Sequence, residues 1–409
     1  MTTTPEAYVH LSTDETTLTF YYDTLRADRN GETWGIREIR EIRDRRRISL
    51  LSSLPAWAGY RHSPSTTVFT AVFDASFHDF CPTTTAGWFY EFKSLKSIEG
   101  LEHLNTSQLT DMGCMFYGCA SLTSLDLTSF DTSKVKYMDW MFWNCRSLTS
   151  LDLTSFDTSQ VTSLAAMFSG CESLTSLDLT SFDTSQVTDM SSMFSDCESL
   201  SALDLSRFDT SQVTDMIDMF SGCASLSALD LSRFDTSQVT DMSSMFSDCE
   251  SLSALDLSRF DTSKVTDMID MFSGCASLTS LDLSRFDTSK VTRMDKMFRG
   301  CRSLTALDLS RFDTSKVTDM EGMFDGCASL TTLDLSSFDT SKVTKMGEMF
   351  SGCESLTTIY CNTSWSASHS DDMFSGCNSL RGAATNVGNS YDVSMANPET
   401  GYFTKKVLS

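Results

Sequence analysis

The stretch Ser173–Glu198 reads SLTSLDLTSFDTSQVTDMSSMFSDCE, and near-copies of it fill most of the 409-residue chain. Cysteine marks the period. Cys119, Cys145, Cys171, Cys197, Cys223, Cys249, Cys275, Cys301, Cys327 and Cys353 stand 26 residues apart, and a shorter, altered unit ends at Cys377. Such a fixed period signals a repeat architecture. Two degenerate units precede the array, VFTAVFDASFHDFCPTTTAGWFYEF (68–92) and SLKSIEGLEHLNTSQLTDMGCMFYGC (94–119). Degenerate ends are the mark of caps.

With the cysteine as position 1, apolar residues recur at positions 1, 4, 7, 9, 12, 17, 20, 23 and 24. Leu177-Asp178-Leu179 alternates, which predicts a short strand with leucines inward and Asp outward. Met190, Met193 and Phe194 have the i, i+3, i+4 spacing of a helical turn. Thr188 or Asp189 stands at an N-cap place, and Gly often precedes the cysteine, where a helix would stop. Asp183-Thr184-Ser185 reads as a turn. One unit therefore makes a closed coil. It cannot bury its apolar side chains alone, but it can when stacked at the parallel strand spacing of about 4.8 Å.

The expected fold is an α/β solenoid, a right-handed coil with short parallel strands and short helical turns. It has an N-terminal β-hairpin and helix cap and an irregular C-terminal cap. The chain divides into a cap at 1–68, two divergent repeats at 69–118, nine regular repeats at 119–353, and a divergent last repeat with cap at 354–409. In the first cap, AYVHLSTDETTLTFYYDT (7–24) reads as a hairpin and WGIREIREIRDRRRISLLSSLPAW (34–57) as a basic helix with a solvated face. The stretch from Cys361 to Lys406 breaks the pattern at Trp365 and should close the last coil.

Net charge is −24, which argues against nucleic acid or anionic lipid as partners and favours a basic or cation-mediated one. No apolar run approaches membrane-spanning length. The beginning MTTTPEAYVHLSTDETTLTFYYDT has no charged, apolar, cleavable leader, which taken literally reads as cytoplasmic. A chain starting after its export signal would look the same. The cysteine column reads as small buried hydrophobes, and no C-x-x-C pair suggests zinc. Cys81, Cys114 and Cys361 lie off the column, and their pairing stays open.

Catalysis needs a singular cluster of groups. The histidines are His10, His62, His78, His103 and His369, so none falls between 104 and 368. The Ser, Asp and Cys of the array recur in equivalent columns. No enzyme, cofactor or metal site is expected.

The columns suggest binding instead. Position 8 puts an outward carboxylate on each regular coil: Asp126, Asp152, Asp178, Asp204, Asp230, Asp256, Asp282, Asp308 and Asp334, with Tyr360 in the last unit. Charges about 5 Å apart repel by roughly 0.8 kcal/mol even in water, so the row needs compensation. The candidate partners are Arg207, Arg233, Arg259, Arg285 and Arg311 at position 11, which leaves Asp126, Asp152, Asp178 and Asp334 without an arginine. These residues form the candidate ligand-binding face. The bland reading is a solubilising surface. Calcium bridging is disfavoured, because the glycine-rich nonapeptide of β-rolls is absent. Asp131, Asp183 and Asp339 at position 13 read as turn formers, and the Phe and Met columns as core. Position 16 changes from Gln160, Gln186, Gln212 and Gln238 to Lys264, Lys290, Lys316 and Lys342. MSSMFSDCES and MIDMFSGCAS alternate from Met190, a double period that suggests tandem duplication.

SLTSLDLSRFDTSKVTRMDKMFRGC (277–301), the unit at 94–119, LTFYYD (18–23) and GYFT (401–404) together resemble BspA-like leucine-rich-repeat surface proteins. The resemblance covers roughly the whole chain. It implies an exported or surface-attached, non-enzymatic adhesin, extracellular or at the cell surface. It would be monomeric and bind a host extracellular protein or glycan, or another cell, with no nucleic acid and no membrane insertion. The alternative is a structural spacer without its own ligand.

Overall fold

The computed structural model describes residues 4–36, 54–58, 66–383 and 391–406. Most of the expected basic helix lies outside them. At the N-terminus, β1 (Glu6–Leu11) and β2 (Thr17–Asp23) pair antiparallel with Val9 opposite Phe20. Leu18 and Phe20 are fully buried while Thr17, Thr19 and Tyr21 are not, as alternation requires. β3 (Thr33–Gly35) pairs with β1, and β4 (Thr70–Phe73) and β5 (Ser97–Glu99) extend the sheet from β2 in parallel. The order is β3-β1-β2-β4-β5. Phe20 stacks on Phe73 at 4.4 Å and on Trp88 at 5.4 Å behind this sheet.

The repeats stack as expected, but a different segment carries the ladder. Thr318 N–H donates to Thr292 O of the preceding coil (2.9 Å). Met320, Gly322, Phe324 and Gly326 donate forward to Lys345, Gly347, Met349 and Ser351 of the next coil at 2.7–3.0 Å. The intervening Met323, Asp325 and Cys327 donate three residues back, to Met320, Gly322 and Phe324, at 3.0–3.3 Å. Glu321 N–H finds Asp319 Oδ1 at 3.1 Å. Every N–H from Met320 to Cys327 is thus satisfied, half between coils and half within one.

This overturns the expected helical turn. Met and Phe at i, i+3, i+4 also fit successive tight turns, because those return the chain every three residues. The turns need left-handed residues at positions 22 and 26, as at Gly322 (φ 60°) and Gly326 (φ 70°). Non-glycine residues accept the same conformation at Lys296 (φ 58°) and Asp248 (φ 56°). The glycine at position 26 is therefore a turn residue. The short helices among the described residues are 3₁₀ turns elsewhere, such as Ala75–Asp79 and Leu101–His103.

The L-x-L strand is corrected as well. Among the described regular and last repeats it forms a parallel ladder at β6 (Thr332–Asp334) and β7 (Thr358–Tyr360), which β8 (Phe403–Thr404) of the cap extends, while β4 and β5 pair likewise in the divergent first units. Between Leu229 and Leu309 the equivalent segments are extended without strand pairing. Phe246, Phe272, Phe298 and Phe324 stack with centroids 5.8 Å apart and planes 4–8° apart.

A second seam ties the coils at position 14. Buried Thr262 donates its hydroxyl to Asp287 O (2.9 Å) and accepts from Asp287 N–H (2.8 Å). Thr132, Thr158, Thr236, Thr288 and Thr314 repeat this clamp. The cysteines are free, and the column thiols donate to a phenylalanine carbonyl one coil back, as Cys301 to Phe272 O at 3.1 Å. At the C-terminus Trp365 packs edge-on to Phe403 at 4.9 Å, and β8 adds to β7.

The chain divides into two compact units, Met1–Phe208 and Asp209–Ser409. Each has its own aromatic stack, Phe116 to Phe194 in the first and Phe220 to Phe374 in the second.

The clamp gives a test. Thr262→Val keeps the volume but strands the Asp287 N–H and C=O. It should cost about 1–3 kcal/mol in chemical denaturation, while Thr262→Ser should recover most of that. Equal stability of the valine variant would remove the clamp from the account.

Candidate functional site

The acidic row lies where the sequence places it, on the open L-x-L face. Asp126, Asp152, Asp178, Asp204, Asp230, Asp256, Asp282 and Asp308 are exposed, and Asp334 and Tyr360 are half-buried. Each of these carboxylates is held by its own turn. Ser258 N–H donates to Asp256 Oδ1 and Ser284 N–H to Asp282 Oδ1, both at 2.9 Å. Thr128 adds its hydroxyl to Asp126 at 2.6 Å.

These bonds, rather than the arginines, relieve the repulsion along the row. The Ser258 hydroxyl and backbone N–H hold Asp256 below the usual carboxylate range. For Asp282 the Ser284 backbone leads and Arg285 contributes last. The expected pairing with position 11 is therefore corrected. Among the described residues the ion pairs of the second unit are Arg293–Asp295, Arg299–Asp325, Lys345–Asp319, Lys405–Glu399 and Lys406–Asp334. None uses Arg233, Arg259, Arg285 or Arg311, which stay exposed, as does Arg207 of the first unit. Asp334, expected to lack a cation, takes Lys406 from the C-terminal strand region. Burial pushes its pKa up, yet Lys406 and Ser336 bring it below the ordinary value.

Between the unpaired strands runs a groove of about 650 Å³, lined by Ala228, Leu229, Asp230, Ala254, Leu255, Asp256, Ser280 and Asp282. Its floor is the outer leucine of each pair. Leu229 and Leu255 keep 8–9% exposure while Leu231 and Leu257 fall to 2%. A basic or amphipathic segment would meet carboxylates on the rim and apolar atoms below.

Other chemistry finds little support. His10 meets Asn30 O and His103 meets Phe73 O, both as backbone ties. No group of three or more His, Cys, Asp or Glu able to hold a metal occurs among the described residues. Burial pushes the Cys249 and Cys301 thiols up to about 12. No helix among the described residues is long and apolar enough to cross a membrane.

Sequence reasoning missed one surface feature. In the early coils the outward positions 19, 22 and 25 carry Tyr137, Trp140 and Trp143, and Tyr117 precedes Trp143 in its column. The signal was aromatic substitution at columns that elsewhere hold small or charged residues.

The fold defines a stacked-coil repeat protein with an acidic face spread over equivalent positions. The family described as Mycoplasma protein of unknown function, DUF285, matches residues 83–202, 175–281 and 278–389, and the chain belongs to it. No curated protein matches. Among solved structures the chain is similar to a leucine-rich cell surface protein from Faecalibacterium prausnitzii A2-165, at 18% identity over 92% of each chain with a TM-score of 0.37. It is also similar to a leucine-rich-repeat protein from Eubacterium ventriosum ATCC 27560, at 16% identity over 85% of this chain and 92% of that one, TM-score 0.40. A leucine-rich-repeat protein of T. pallidum aligns at 15% identity over 66% and 86%, TM-score 0.30.

The thiol environment can be checked directly. A thiol reagent should label exposed Cys81 in the folded chain and reach the buried column from Cys119 to Cys353 only in denaturant. Rapid native labelling of the column would show that the coils open.

Proposed function

We propose that this chain is a non-enzymatic surface protein of the BspA-like kind, which adheres outside the cell to a basic protein partner through the acidic face of its second unit. One observation carries the proposal. Asp230, Asp256 and Asp282 rim a shared groove with an apolar floor, each presented by an equivalent turn. Such a row offers repeated contacts, so weak single sites combine into avidity. It also tolerates a change in repeat number, as the double period suggests.

The test exploits the turn. Asn keeps an acceptor for the serine N–H and removes the charge, so Asp230→Asn with Asp256→Asn and Asp282→Asn should fold normally. Immobilised chain would be probed with an oligolysine peptide and with extracellular matrix proteins. The triple variant should lose at least tenfold in affinity, and salt should weaken the native interaction. Because the native carboxylates titrate below their ordinary value, near 3.9, binding should hold steady from pH 7 to pH 5 and fall only below that. Unchanged binding by the variant would move the site off this face. Failure to bind any of these probes would favour the spacer.

A further inference from the structure

The first unit carries an aromatic step that the acidic face does not explain. Tyr90, Tyr117 and Trp143 form a surface stack at position 25, with centroids 4.4 and 4.3 Å apart and planes within 16°. All three rings are half-buried. The stack stops abruptly, because the next residues in that column are Ser169 and Ser195. One indole face of Trp143 is covered by Tyr117, and no ring covers the other among the described residues.

The same step occurs in two neighbouring columns. Tyr137 gives way to Ser163 and Trp140 to Ala166, and Tyr137 and Ser163 are paired in register. Trp140 is the bulkiest residue in its column and is held at φ 56°, where large side chains are rare. It is half-exposed, so core packing does not account for it. Trp143 N–H donates to Trp140 O at 3.2 Å, which places both indoles on one turn.

Polar groups follow Trp143 closely in the chain and in the next coil. Asn144 Oδ1 accepts from Arg146 Nε at 2.6 Å, and Arg146 Nε lies 3.3 Å from Glu172 Oε1. These groups are already ordered, which lowers the cost of binding. An electron-rich aromatic face with donors and acceptors on neighbouring residues suits a sugar ring. Its C–H face is weakly positive and meets the negative face of the indole, while its perimeter hydroxyls need hydrogen-bonding partners.

We propose that Trp143, with Trp140 and the Asn144–Arg146–Glu172 group, forms a binding site for a hexopyranose ring of a glycan. The site uses residues of the first unit only, so it stands or falls apart from the acidic face.

The substitutions that test it are ones the array already tolerates. Trp143→Ser and Trp140→Ala install the residues of the following coil. The full chain and both variants would be applied to an array of defined hexopyranose oligosaccharides, with thermal melts to confirm folding. The native chain should retain at least one glycan. Trp143→Ser should weaken retention at least tenfold while still melting as a cooperatively folded chain, and Trp140→Ala should weaken it too. Asp230→Asn with Asp256→Asn should leave it unchanged. No retained glycan, equal retention by Trp143→Ser, or Trp143-dependent capture of decaproline in place of glycans would each overturn the proposal.

Discussion

The structure depends on one arrangement, in which alternate backbone N–H groups between positions 20 and 26 point to the next coil and the others close tight turns within their own. Neither half suffices alone. Turns without the ladder would be an isolated string of bends, and a ladder without turns would not bring Met and Phe inward every third residue. Together they satisfy the backbone of a segment that is neither helix nor strand. The cost is a left-handed residue at positions 22 and 26 in coil after coil. Glycine meets it cheaply at Gly322 and Gly326, whereas Ser192, Asp196 and Asp248 meet it with a side chain attached.

The acidic groove follows from where the ladder is absent. The coils are held together on the turn side, and the opposite L-x-L segments stay unpaired across the middle repeats. That opens the groove at Leu229 and Leu255 and spreads the carboxylates along its rim. At the C-terminus, where β6, β7 and β8 pair, the same positions close into a sheet and Asp334 is tied to Lys406. One repeat sequence therefore presents two surface states, set by its neighbours.

Much of this was legible in the residues. The cysteine spacing gave the coil, the apolar columns gave the core, and LTFYYD gave the second strand of the hairpin. The helix was misread because hydrophobic period alone cannot separate an α-turn from serial tight turns. The clue was glycine recurring at one column, read as a helix stop although it serves a turn. The arginine pairing failed for a local reason: each carboxylate is already held in its charged form by the N–H two residues on. The aromatic step was not legible because Tyr137 and Trp143 stand at positions 19 and 25, outside both the carboxylate row and the apolar core columns.

Hydrogen exchange at single-residue resolution tests the central claim most directly. The account predicts strong protection at the inter-coil amides of Met320, Gly322, Phe324 and Gly326, and rapid exchange at Leu255, Asp256 and Leu257 on the open face. Protection concentrated on the L-x-L amides, with the Met320–Gly326 segment exchanging freely, would contradict it.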